Sequence, residues 1–203
     1  MRRLKHFVAF GAVLAAATSC GDVVRSGKSP VLLQVQSLQA LKGGPTAGQA
    51  SGFLLSDVIT IVTTPAPCST QSPCATTFDD SGQASLAIVP KDVSIEPTSN
   101  NYVTVNRVHI KFTRADGRNV QGVDVPYEFD GAVTVQVTGT AQVSFELVRH
   151  AAKEEPPLVN LISSSSIIST IAEVTFYGTD TVGNAVTAVG TIQVNFGNFG
   201  DSQ

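Results

Sequence analysis

Tryptophan is absent from the 203 residues, histidine occurs three times and charged side chains make up only 14% of the chain. Sugar-binding sandwiches commonly present Trp, so its absence weakens a carbohydrate platform built on Tyr102, Tyr127 and Tyr177. Those tyrosines sit near strand ends, where core margin or plain surface is the ordinary role. Three histidines leave little for acid–base work. Apart from residues 7–17, no apolar run approaches the about 20 residues that cross a hydrocarbon core as a helix. Clean helical stripes are missing as well. What remains is rich in Val, Thr, Ser, Gly and Ile. β-Branched side chains lose rotamer freedom in helices and suit a pleated, half-buried surface, so the class is all-β.

The first twenty residues state a destination. Arg2, Arg3 and Lys5 precede the apolar residues 7–17, and Ala17-Thr18-Ser19-Cys20 follows. A basic start, a short apolar stretch and small residues before a break mark an export signal. Small residues running into a cysteine resemble the lipobox of bacterial lipoproteins, with Ala17 standing where that family prefers Leu. The resemblance implies cleavage after Ser19, acylation of Cys20 (palmitate among the chains) and a membrane-anchored protein of the bacterial envelope, facing the periplasm or the exterior. An ordinary cleaved signal with a cysteine near the cut is the alternative.

Without residues 1–19, 184 residues remain, with ten Lys and Arg against sixteen Asp and Glu, a net charge of −6. That balance argues against nucleic acid and against a polybasic grip on anionic lipid. Membrane contact is then expected through Cys20 alone. Acylation of Cys20 also resolves the odd cysteine count, because it leaves Cys68 and Cys74 as a pair. An oxidising compartment permits them to bridge. Zinc would need two more ligands, and no histidine lies nearby.

Along the chain, residues 20–30 read as the lipidated Cys and a flexible tether, and residues 31–203 as the folded part. A strand is expected over 31–38, with Val31, Leu33 and Val35 on one face. Residues 53–62 carry apolar side chains on both faces, which suggests an interior strand. Prolines, polar residues and the cysteine pair make 64–82 a long exposed loop. Leu86 and Ile88 mark a short strand, with a continuation at Val93 and Ile95. Residues 102–114 are strongly β, and their apolar parity switches at Asn106-Arg107, as one extra residue in a bulge would require. Ala115-Asp116-Gly117 is a turn, and 122–127 a short edge segment around Pro126. Residues 132–148 hold one parity across Thr138-Gly139-Thr140, which suggests one kinked strand rather than a hairpin. Residues 153–157 read as a polar connection, and 158–168 as strand, turn or short helix. At the end, Ala172, Val174 and Phe176, then Val186, Ala188, Ile192, Val194 and Phe196, form a hairpin with one buried face around 178–184.

Seven or eight strands separated by turn signals give the pattern of a Greek-key sandwich. In strand count, turn spacing and final hairpin the chain resembles the immunoglobulin-like domains of bacterial envelope proteins, without the Cys and Trp of antibody domains. An antiparallel immunoglobulin-like β-sandwich is therefore expected, with a possible division into two domains near 122–131.

Little in this frame carries chemistry. His109 falls on the parity opposite Val108 and Ile110, outward between Arg107 and Lys111, and His150 ends a strand beside Arg149. Asp79-Asp80 and Asp180 with Asn184 offer oxygens to calcium, but their spacing matches no EF-hand loop, and turn chemistry explains them. No catalytic residue, cofactor or metal is assigned. The expectation is a lipid-anchored interaction module without catalytic activity, whose partner is another envelope protein or surface macromolecule. Its recognition surface is expected at 64–82, on the principle that loops on rigid scaffolds carry recognition. The alternatives are an accessory subunit of a secretion, pilus or transport assembly, using a sheet edge or residues 196–199, and, remotely, a hydrolase.

Overall fold

The computed structural model describes residues 28–45, 48–94 and 101–200. Two sheets carry the fold. The smaller has the order β1-β5-β8, from Val31–Leu41, Asp80–Pro90 and Thr140–Val148. The larger has the order β2-β10-β9-β6-β7, from Phe53–Asp57, Ala185–Gly197, Ile168–Asp180, Val103–Thr113 and Phe129–Val137. A separate two-stranded sheet joins β3 (Thr60–Val62) to β4 (Cys74–Thr76). Eight strands in two facing sheets make an all-β sandwich. Every pairing in the two sheets is antiparallel except β2 with β10. With β1, β5 and β8 in one layer and β10, β9, β6 and β7 in the other, the order follows the immunoglobulin-like plan.

Alternation explains the layers. Ala172, Val174, Phe176, Val186, Ile192, Val194 and Phe196 of the final hairpin turn inward and are buried, as their spacing predicts. They meet Leu86, Val143, Phe145 and Leu147 of the smaller sheet in one apolar cluster. Residues on both sides of 122–131 belong to that cluster, among them Ile110 and Val133. Two edge-to-face aromatic pairs lie in this core: Phe145 on Phe176 at 5.5 Å and Phe112 on Phe196 at 5.4 Å. Such pairs contribute about 0.5–1.5 kcal/mol beyond area burial. Gly82 makes room for the first, since a Cβ there would overlap the Phe145 ring.

The parity switch in β6 is a bulge. Its register shifts between Val105 and Arg107 against both neighbours, so Val105 and Val108 are both buried. An equivalent shift between Val35 and Ser37 in β1 turns Ala40 inward, and the strand runs on to Leu41.

Several expectations are corrected. Residues 53–62 are no interior strand. β2 is the edge of the larger sheet, so Phe53 and Leu55 face out at 51% and 43% exposure, and the chain turns away at Val58 before β3. The apolar residues on both faces reflect an outer surface, not two cores. The loop expected over 64–82 ends at β4, and β5 already begins at Asp80. Val93 lies in a turn at 92% exposure, and Ile95 falls outside the described residues. Residues 122–127 form a turn held by one bridge, Gln121 to Val125, with Gly122 at φ +73° beneath the Tyr127 ring.

The unbroken parity of 132–148 belongs neither to a kinked strand nor to a hairpin. β7 and β8 lie in different sheets, and each points its odd-numbered residues into the shared core. After β8 the chain forms a short helix, α1 (His150–Lys153), and a 3-10 turn at Leu158–Leu161 whose leucines are buried. Lys153 therefore does not belong to a polar connection; it is 1% exposed.

Candidate functional site

The disulfide-clipped lobe stands at one end of the sandwich. β3 and β4 pair from Thr60↔Thr76 to Val62↔Cys74, and most of the chain between them is exposed. Cys68 is bonded to Cys74, with a Cα–Cα distance of 5.4 Å. The expected pairing is thus present, although Cys20 lies outside the described residues. Inside the loop, Cys68 N donates to Pro65 O at 3.1 Å. Ser69 and Ser72 exchange backbone hydrogen bonds of 3.0 and 3.2 Å, which leaves Thr70 and Gln71 at an exposed tip. A chain with two prolines before Cys68 and one before Cys74 cannot extend a ladder here, because proline lacks the N–H. The clip gives it a defined shape instead.

The base of the lobe is lined by polar side chains, of which Lys42, Asp80 and Lys153 were expected in loops and Ser56 and Asp57 in the strand over 53–62. Asp80 is fully buried: its Oδ2 accepts from Lys153 Nζ at 2.9 Å and from Ser56 Oγ at 2.6 Å, and its Oδ1 from Gly43 N at 2.7 Å. Gly43 can approach because it has no Cβ, which would overlap the Asp79 carbonyl. Next to this network Asp57, 2% exposed, accepts from Lys42 Nζ at 3.0 Å and from Phe199 N at 3.3 Å. Thr77 Oγ1 donates to Glu154 Oε1 at 3.0 Å, tying β4 to the end of α1. Burying an ion pair is costly unless hydrogen bonds satisfy it, and losing one partner is worse than losing both. These contacts tie the chain that enters and leaves the lobe, at Ser56-Asp57 and Asp80, to the ends of β1 and α1 and to Phe199.

A cleft of about 430 Å³ opens beside the lobe, between Lys42–Pro45 on one side and Thr60–Thr64 on the other, with Gly200 at its end. Three threonines and three glycines are among the residues that line it, with Pro45, Ile61 and Val62, and Lys42 is its one charged residue. Such a lining can hydrogen-bond an extended or polar ligand, and none of its side chains forms a nucleophile–base pair.

The remaining candidates lie elsewhere. His109 faces out of the larger sheet, its Nδ1 3.2 Å from Asp130 Oδ1 and its Nε2 3.8 Å from Glu128 Oε2. Arg107 also reaches Asp130, at 3.2 Å, and covers the Tyr177 ring at 3.8 Å. Tyr127 packs on Gly122. Tyr127 and Tyr177 thus have separate local partners. His150 is exposed at the start of α1. Asp180 closes the β9–β10 turn, accepting from Val182 N at 3.1 Å, Asn184 N at 2.8 Å and Asn184 Nδ2 at 2.8 Å. Burial pushes its carboxyl up, but these bonds, with one from Ser29, outweigh burial and hold it below the usual value. Phe196 is core rather than surface.

Comparison with known proteins gave no match: no family model, curated protein or solved structure matches the chain. Among the described residues no helix is long and apolar enough to cross a membrane.

Proposed function

We propose that this protein is a lipid-anchored envelope module that binds another macromolecule through the clipped lobe and the cleft beside it. The observation that carries the reading is the Cys68–Cys74 bond at an exposed, proline-rich tip. Disulfides persist in oxidising compartments, which agrees with the export signal in residues 1–19. With that pair accounted for, Cys20 is the remaining cysteine, as a lipid anchor requires. A rigid sandwich with a preformed loop lowers the ordering cost of recognition. A lining rich in threonine and glycine, with one lysine, suits hydrogen-bonded binding.

Anchoring is tested by Cys20→Ala. One acyl chain binds a membrane only marginally, and stable attachment needs more than one. The variant is expected to lose processing or to move to the soluble fraction. A variant that is processed normally and stays with membranes contradicts the anchor.

A further inference from the structure

Lys153 Nζ lies 2.9 Å from Asp80 Oδ2, and the two side chains are 1% and 0% exposed. Ser56 Oγ donates to the same oxygen at 2.6 Å, and Gly43 N holds Oδ1 at 2.7 Å. A primary amine and a carboxyl group held together away from water are the reactants of amide formation. Passing one proton from the ammonium to the carboxylate gives the amine and the acid that condense.

We propose that Lys153 and Asp80 join in an intramolecular amide bond linking α1 to the start of β5. The Nζ lone pair adds to Asp80 Cγ, and the negative charge that develops on Oδ1 meets the Gly43 N–H, as an oxyanion does in acyl transfer. Oδ2 departs as water, carrying the acid proton and one amine proton, with the Ser56 hydroxyl relaying a proton to it. One C–N bond forms and one C–O bond breaks. Nothing is oxidised or reduced, and no co-reactant is consumed. Fixed contact supplies the proximity that makes an otherwise slow condensation accessible. The product exchanges two buried charges for a neutral amide and ties the lobe's base covalently to the helix behind it.

The test is peptide mapping and intact mass of the full exported chain. After allowance for the disulfide and N-terminal processing, the chain is expected to be lighter by one water, with Asp80 and Lys153 in one branched peptide. Asp80→Asn presents a carboxamide in place of the acid, so that variant is expected to be lighter by one ammonia. Lys153→Arg keeps the cation and removes the nucleophile, and its full mass is expected. Parent chain of full mass, with Asp80 and Lys153 recovered in separate linear peptides, overturns the proposal. The parent's own map decides the matter even where a variant fails to fold.

Discussion

Asp180 shows how one carboxylate sets a turn. It sits 7% exposed at the end of β9 and accepts three hydrogen bonds from the Val182–Asn184 side of the loop. Its folded pKa lies below the ordinary value of 3.8. The stability it supplies is therefore complete above the unfolded carboxyl pKa and disappears as pH falls through the lower folded value. Asp180→Ala should cost about 1–3 kcal/mol near neutral pH. In denaturant titrations between about pH 5 and pH 2, its stability should also fall less steeply than the parent's. Equal slopes for the two chains would show that Asp180 contributes nothing to acid unfolding. Asp116 is held low by Arg114 and Arg118, but in an exposed cluster where screening leaves little energy.

Single elements show which parts of the fold were legible in the sequence. The final hairpin could be read almost residue by residue, because β9 and β10 have one wet face and one buried face. The β6 bulge was legible for the same reason, since one extra residue leaves a visible break in parity. β2 was misread because alternation cannot tell an apolar outer face from a second core, and Phe53 and Leu55 sit on such a face. β7 and β8 were misread because parity records which side faces the core, and not which sheet a strand joins. The Asp80–Lys153 pair left no local signal: the residues are far apart in sequence, and each looks like part of a polar loop. Residues that a loop assignment hides, Lys42, Asp80 and Lys153, thus help to build the base of the candidate site. The cysteine pair was legible once Cys20 was set aside as the expected acylation site, and its mechanical role can be tested. Closing so short a loop stabilises by roughly 2 kcal/mol on the chain-entropy estimate. Cys68→Ser with Cys74→Ser should therefore speed amide exchange in β3 and β4 and leave β9 and β10 unchanged. Uniformly faster exchange across both sheets would mean that the clip supports the whole sandwich.

At the scale of the whole molecule, a β-sandwich with one apolar cluster carries a clipped lobe, and two buried acids with their lysine partners anchor the chain on either side of it. Rigidity in the scaffold and shape in the lobe agree with the proposed recognition of a neighbour, and the export signal expected in residues 1–19 would bring that recognition to a membrane. The most direct measurement is site-specific photo-crosslinking in intact cells, with the reactive residue placed at Gln71 on the lobe tip or at Thr134 on β7 as control. A discrete adduct from Gln71 that disappears in the Cys68→Ser, Cys74→Ser chain, with none from Thr134, is the predicted result. Adducts from Thr134 alone, or a Gln71 adduct indifferent to the disulfide, would contradict recognition through the clipped lobe.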